Sequence, residues 1–380
     1  FILEAKNDRK IADSTFAQQV ITTVQQVTTD YWELVFAREA VGVQEAALST
    51  SQKLYQDNKK QVEIGTLAPL EIIRAESEVA TDRQNLIIAQ TNRMQQQTVL
   101  LNAISRNPMA NGLQDIEVIP TDPVTKLPSF DVLPLQEAVN LAWKQRPEVQ
   151  QAQLVLLNDN IEVKTTKNGL LPQLTIFGQY QGTGLAGRNQ TSPGPPPVFV
   201  SSGWPDAAST AFSTDFPTYA AGITFNLPVR NRIAQADAAR AQITERQDQA
   251  RLQSVKNTIL VDVRNAQIAL QQDQAQVEAA GKARELAQET LDAEQKKYQL
   301  GASTTFLVIQ AQRDLTTAKG NEIRALANLQ EARVAYDKSL GHLLDVNRIT
   351  IADAQRGKAI QPPQIPGTPS LELIGAPAGK

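Results

Sequence analysis

Few residues in this chain are equipped for chemistry, and each has a simpler structural reading. His342 is the only histidine and there is no cysteine. Thiolate metal sites, a cysteine nucleophile and a disulfide framework are therefore excluded. A lone imidazole cannot build a histidine-rich metal centre either. His342 follows Gly341 at an expected helix end, where a cationic side chain meets the partly negative terminal carbonyls; capping is its expected role. Gly182-Thr183-Gly184-Leu185-Ala186-Gly187 matches a dinucleotide fingerprint, but that motif works only when it opens a helix whose N-terminus holds the pyrophosphate. The next residues, Arg188-Asn189-Gln190-Thr191-Ser192-Pro193-Gly194-Pro195, cannot form that helix, and the segment reads as a loop. No nucleophile–base or paired-carboxylate constellation stands out, so neither an enzyme nor a cofactor is expected. Glu71 and Arg74 stand three apart on an expected helix, a pairing worth only about 0.2–0.5 kcal/mol in a solvated position.

With so little chemistry available, the elements themselves carry the reading. Aromatics make up 5% of the 380 residues, against abundant Ala, Gln, Leu and Glu, the composition of long helices. The net charge of -3 supplies no basic field for nucleic acid. No run approaches the roughly 18–20 apolar residues of a membrane-spanning helix. Phe1-Ile2-Leu3-Glu4-Ala5-Lys6 has no signal-peptide pattern, and the expectation is a chain whose upstream segment is missing.

Asp13-Ser14 are expected to cap a first long helix. Beyond them Val20, Val24, Val27, Tyr31, Leu34, Val41, Leu48 and Tyr55 lie on a seam of steps of four and three that Arg38, Glu45 and Gln52 interrupt, the narrow stripe of a coiled coil. Gly65 breaks this helix, Pro69 opens the return arm, and Asn107-Pro108 end it. Residues 1–108 thus form a first helical hairpin, and 109–134, with five Pro or Gly, an irregular connection. Short helices fill 135–172. Between 173 and 227 the period changes to two. Leu174, Ile176, Gly178 and Tyr180 oppose Gln173, Thr175, Phe177, Gln179 and Gln181, and Tyr219, Ala221, Ile223, Phe225 and Leu227 oppose Ala220, Gly222, Thr224 and Asn226. Two strands of about nine or ten residues are the length that crosses an outer membrane when tilted, here joined by a long loop from Gly182 to Thr218. A second hairpin occupies 228–341, its first arm on the order of 100 Å long, turning at Gly301. The Pro-rich tail, 342–380, is expected to be disordered. At a constant offset of 236 residues, Val27 matches Val263, Gly65 matches Gly301, Ala75 matches Ala311 and Asn92 matches Asn328, an internal repeat.

This order of elements resembles the TolC family of outer-membrane efflux proteins. The resemblance is carried by Leu135-Gln136-Glu137-Ala138, Arg146-Pro147-Glu148, Leu171-Pro172-Gln173-Leu174, Phe225-Asn226-Leu227-Pro228-Val229-Arg230-Asn231-Arg232 and Tyr298-Gln299-Leu300-Gly301. It implies a mostly α protein of two antiparallel coiled-coil hairpins, with a β-hairpin contributing to a trimeric β-barrel in outer-membrane lipid. It further implies a passive conduit, localised to the outer membrane with a periplasmic helical domain, serving a tripartite efflux or secretion system. The implied partners are two further copies of the chain, a periplasmic adaptor (membrane fusion) protein and an inner-membrane pump, with no nucleic acid. The rival expectation is a periplasmic coiled-coil adaptor or scaffold. By the resemblance, Gly65, Thr66, Gly301 and Ala302 lie at the periplasmic tip facing the adaptor. Relatives often place acidic residues six and nine positions after the second glycine, narrowing the pore; here those positions are Leu307 and Gln310, and after the first glycine Glu71 and Arg74. An apolar and polar constriction is therefore expected in place of an acidic ring.

Overall fold

The computed structural model describes residues 1–105, 116–122, 132–184, 186–192, 198–213, 217–227 and 229–357. The end of the first hairpin at Asn107-Pro108, most of the 109–134 connection and the tail beyond Gly357 lie outside the described residues. The chain divides into two compact units, one formed by Phe1–Val155 and the chain from Ala250 on, the other by Leu156–Gln249.

In the first unit α1 (Ile2–Glu63) and α2 (Leu70–Ile104) form a helical hairpin. Helix α1 starts eleven residues before the expected cap. Ser14 is interior to it, and its hydroxyl donates to the Lys10 carbonyl at 2.9 Å. Asn7, Ser14 and Ile21, seven apart, are buried, so packing of an earlier heptad outweighs the local capping signal of Asp13-Ser14. Then follow α3 (Leu135–Gln145), which ends at an extended Arg146, and α4 (Pro147–Asn168), which begins just after it, as the residue before proline is steered out of the helical region. Helix α6 (Arg232–Gln299, 68 residues) and α7 (Thr305–Leu340) form the second hairpin, and two short helices, α8 (Leu343–Val346) and α9 (Ile351–Arg356), close the described chain. The expected disorder of 342–380 therefore does not hold for its first part, where Leu343 and Leu344 are buried against Ile21 and Val334.

The core lies in thin layers between these helices. The largest gathers Ala138, Val139, Ala142 and Val149 of α3 and α4 against Ile259, Val263 and Leu270 of α6 and Leu329, Tyr336 and Leu340 of α7. Arg146 anchors this layer, its guanidinium holding Glu148 at 2.9 Å and Asp262 at 3.0 Å. That gives Arg146-Pro147-Glu148 a structural reason: the pairs fix the α3–α4 junction to α6. His342 does not act as a carbonyl cap through its ring. Gly341, in the left-handed region, and the His342 backbone N–H, bonded to Asp337, close α7, while the imidazole lies 3.9 Å from Asp345.

In the second unit β1 (Gln173–Gly182) pairs antiparallel with β4 (Pro217–Asn226). The intervening stretch is more than a loop. It contains an antiparallel pair, β2 (Gly187–Ser192) and β3 (Val198–Ser202), and a helix α5 (Trp204–Phe212). Gly182 and Gly184 of the apparent dinucleotide motif have another purpose. A Cβ on either would lie 1.8 Å from a carbonyl oxygen of α5, Ala211 or Ala207, so glycine is what lets the helix backbone pass. The motif's last residue, Gly187, opens a strand instead of a helix.

Candidate functional site: the helical turns and the strand pair

The two turns that join the hairpins are built alike. The Gly65 N–H donates to Val62 and the Thr66 N–H to Gln61; 236 positions on, the Gly301 N–H donates to Tyr298 and the Ala302 N–H to Lys297. Both are Schellman closures, which need a left-handed residue after the helix, and φ is 78° at Gly65 and 73° at Gly301. No atom lies within 4 Å of a Cβ added at either, so the demand for glycine there is conformational alone. Thr304 caps the return helix, its hydroxyl accepting from the Leu307 N–H.

Side chains behind the turns stitch the first hairpin to the second. The Tyr298 hydroxyl donates to Asn58 Oδ1 at 2.8 Å, and Gln312 Nε2 to the Ala47 carbonyl at 3.0 Å. The Arg313 guanidinium grips both oxygens of Glu78, with Nε at 2.9 and 3.0 Å. Farther along, Arg324 holds both oxygens of Glu33 at 2.8 Å. Asn58 is 0% and Glu78 2% exposed, so these bonds sit where an unpaired group would cost about 1–3 kcal/mol. Asp82, also buried, has its carboxyl pushed up by desolvation, with the Ser51 hydroxyl pulling it back. Sequence reasoning missed this network because it followed the apolar stripe. A second heptad, Ala37, Gln44, Ser51 and Asn58, was its signal.

Of the four residues considered for the constriction, Glu71 and Arg74 pair as expected at 2.9 Å. The pair leaves Glu71 mostly covered. Leu307 and Gln310 stand at exposed positions one turn apart on α7. Gln310 Nε2 donates to Asp314 at 3.0 Å, which brings onto that side of the helix an acidic residue the sequence reading had not singled out.

The strand pair sorts its side chains cleanly. Register places Leu174 opposite Phe225, Ile176 opposite Ile223, Gly178 opposite Ala221 and Tyr180 opposite Tyr219. Directly opposed residues share a face, so one face is apolar and ends in two tyrosines whose rings are 5.4 Å apart. The other face carries Gln173, Thr175, Gln179 and Gln181 opposite Asn226, Thr224, Ala220 and Thr218. Its one large apolar residue, Phe177, lies over Gly222. Neither strand contains a charged residue. Ile176, Ile223 and Phe225 are 73%, 70% and 64% exposed; among the described residues nothing covers this apolar face.

Among the described residues no helix is long and apolar enough to cross a membrane, and no cluster of three or more His, Cys, Asp or Glu could hold a metal ion.

Comparison with known proteins accords with this geometry. The family model described as Outer membrane efflux protein matches residues 3–106 and 138–342. Outer membrane protein TolC of Escherichia coli (strain K12) is 21% identical over 377 residues, covering 96% of this chain and 71% of TolC. Among solved structures, the outer membrane protein VceC from Vibrio cholerae superposes with a TM-score of 0.70 at 15% identity, over 90% of this chain and 74% of that one. The open state of the Neisseria gonorrhoeae MtrE outer membrane channel gives 0.68 at 19% identity, over 90% and 70%. The family resemblance and the mostly helical fold with a β-hairpin, both read from the sequence, are borne out. With about four-fifths of its length matched by the family model, the chain belongs to the outer membrane efflux protein family, the TolC-like channels of the outer membrane.

Proposed function

We propose that the chain is one protomer of a homotrimeric conduit, passing cargo driven by an inner-membrane pump through a periplasmic adaptor. No bond is made or broken by it. The observation that carries this reading is the strand pair. A lone two-stranded hairpin is marginal in water, and one with an uncharged, uncovered apolar face fits a barrel wall with lipid outside and polar residues toward the lumen.

Two exposed stripes on the helices support threefold assembly. On α2, Ile73, Ser77, Ala80, Gln84, Ile87, Thr91, Met94 and Thr98 follow coiled-coil steps, all exposed and none charged. On α6, Val261, Asn265, Ile268, Gln272, Ala275, Ala279, Ala283, Leu286, Thr290 and Ala293 do the same. Coiled-coil seams without partners call for neighbouring helices, and α2 of one copy against α6 of the next would cover both. A free-standing adaptor or scaffold is not favoured by the family match.

The turns at Gly65-Thr66 and Gly301-Ala302 are the proposed adaptor contact. Gly301→Val should lower cargo efflux more than Ala302→Val at matched outer-membrane abundance. A β-branched residue at φ 73° carries about 1–3 kcal/mol of backbone strain, enough to reshape the turn. Equal efflux from the two variants would remove the turn from the docking surface.

Leu307 and Gln310 are the proposed constriction, closing by dewetting instead of through a charged ring. The function is tested by conductance of the protein in planar bilayers. Discrete steps are expected, with little block by trivalent cations from the tip side, and Leu307→Asp should introduce such block. Absence of any conductance would overturn the conduit; strong block of the unmutated channel would move the constriction to Asp314 or Glu71.

A further inference from the structure

The helices that carry the strand pair meet along a seam with an acidic break. On α6, Ala238, Ala241, Glu245 and Asp248 follow steps of three and four. The two alanines are 4% exposed and the two acids half-buried. On α4, Asp159 and Val163 occupy the matching stripe, 9% and 6% exposed. The helices run antiparallel, with Asn231 at the start of α6 donating to the Gly169 carbonyl just past the end of α4. Carboxylates thus stand where a coiled coil places apolar side chains.

Asp159 is faced by Asp248 and Glu245 across the seam and by Glu162 on its own helix. Lys164 and Arg246 occupy exposed positions, and every charged group acting on Asp159 is acidic. Its Oδ2 is buried and has no hydrogen-bond partner. Two ionised carboxylates are acceptors only, so no bond can form between them until one holds a proton.

We propose that Asp159 and Asp248 form a proton-binding site, in which one shared proton turns two repelling acceptors into a carboxyl donating to a carboxylate and so closes the α4–α6 seam in acid. Burial first, then Asp248, Glu162 and Glu245, push the Asp159 carboxyl up to about 6. The folded carboxyl then holds its proton more tightly than an unfolded aspartate, whose pKa is about 3.9. The stability it supplies is complete below that value, declines as pH rises, and is gone above about 6. The inference is independent of the transport reading, because it concerns only the packing of two helices.

The test is the rate of heat unfolding of the whole protein in detergent from pH 4 to 8, for the unmutated chain, Asp159→Asn and Asp248→Asn. An asparagine amide can donate to the remaining carboxylate at any pH. Each variant should unfold up to about a hundredfold more slowly than the unmutated protein at pH 7.5, the rise from about 3.9 to about 6 being about two pK units at tenfold each, and the advantage should vanish near pH 4. Two variants guard against one that fails to fold. A variant-to-unmutated ratio that is the same at both ends of the range would overturn the proposal. So would removal of the unmutated protein's pH dependence by millimolar calcium or magnesium, which would make the ligand a metal.

Discussion

Ile223→Lys should empty the outer membrane of this protein, and Thr224→Lys, one residue along the same strand, should leave it there. Ile223 pairs with Ile176 in the middle of the apolar face, and Thr224 pairs with Thr175 on the polar one. A lysine on the lipid side of a barrel costs about 2–4 kcal/mol near the midplane, and far less where it reaches water. A trimer carries each substitution three times, so the difference is large against ordinary stabilities of about 5–15 kcal/mol. Immunoblots of density-separated membranes read the result. Equal abundance of the two variants would mean that the apolar face does not meet lipid.

Ile87→Glu and Ile268→Glu should each convert the assembly to monomers. Both isoleucines are exposed within the chain, at 57% and 47%, and both sit in the centre of the uncharged stripes on α2 and α6. In the trimer each glutamate would be buried without a partner, an effective cost of several kcal/mol per ion. Asn92→Glu, also on the exposed side of α2 but off the stripe, is the control and should remain trimeric. Size measurement in mild detergent distinguishes them. Trimers from both isoleucine variants would exclude the stripes from the interface.

Much of this was legible in sequence because coiled coils and membrane strands write their periods plainly. Leu34 and Val41 on the first seam, and Val263 and Leu270 on the second, are buried as steps of 3.5 require. The alternation read over 173–181 and 219–227 became the face assignment, with β4 ending at Asn226, one residue before Leu227. The glycine turns could be read because a Schellman closure demands one residue type at one place. Other features were hidden for physical reasons. Asp13-Ser14 carried a capping signal, yet local preference worth about 1 kcal/mol lost to the burial of Asn7 and Ile21 around them. The stitching bonds of Asn58, Glu78 and Arg313 join residues more than 230 positions apart, and polar side chains at seam positions leave no apolar mark. Gly182 and Gly184 looked like a phosphate loop because close approach of a helix backbone and close approach of a phosphate ask for the same residue.

The central claim is that three copies of this chain form one membrane-embedded channel. It is tested most directly by the mass of the protein extracted from outer membranes, corrected for bound detergent by sedimentation or native mass spectrometry. The account predicts a species of three chains that stays soluble only while detergent is present. A monomer that remains soluble without detergent would contradict it.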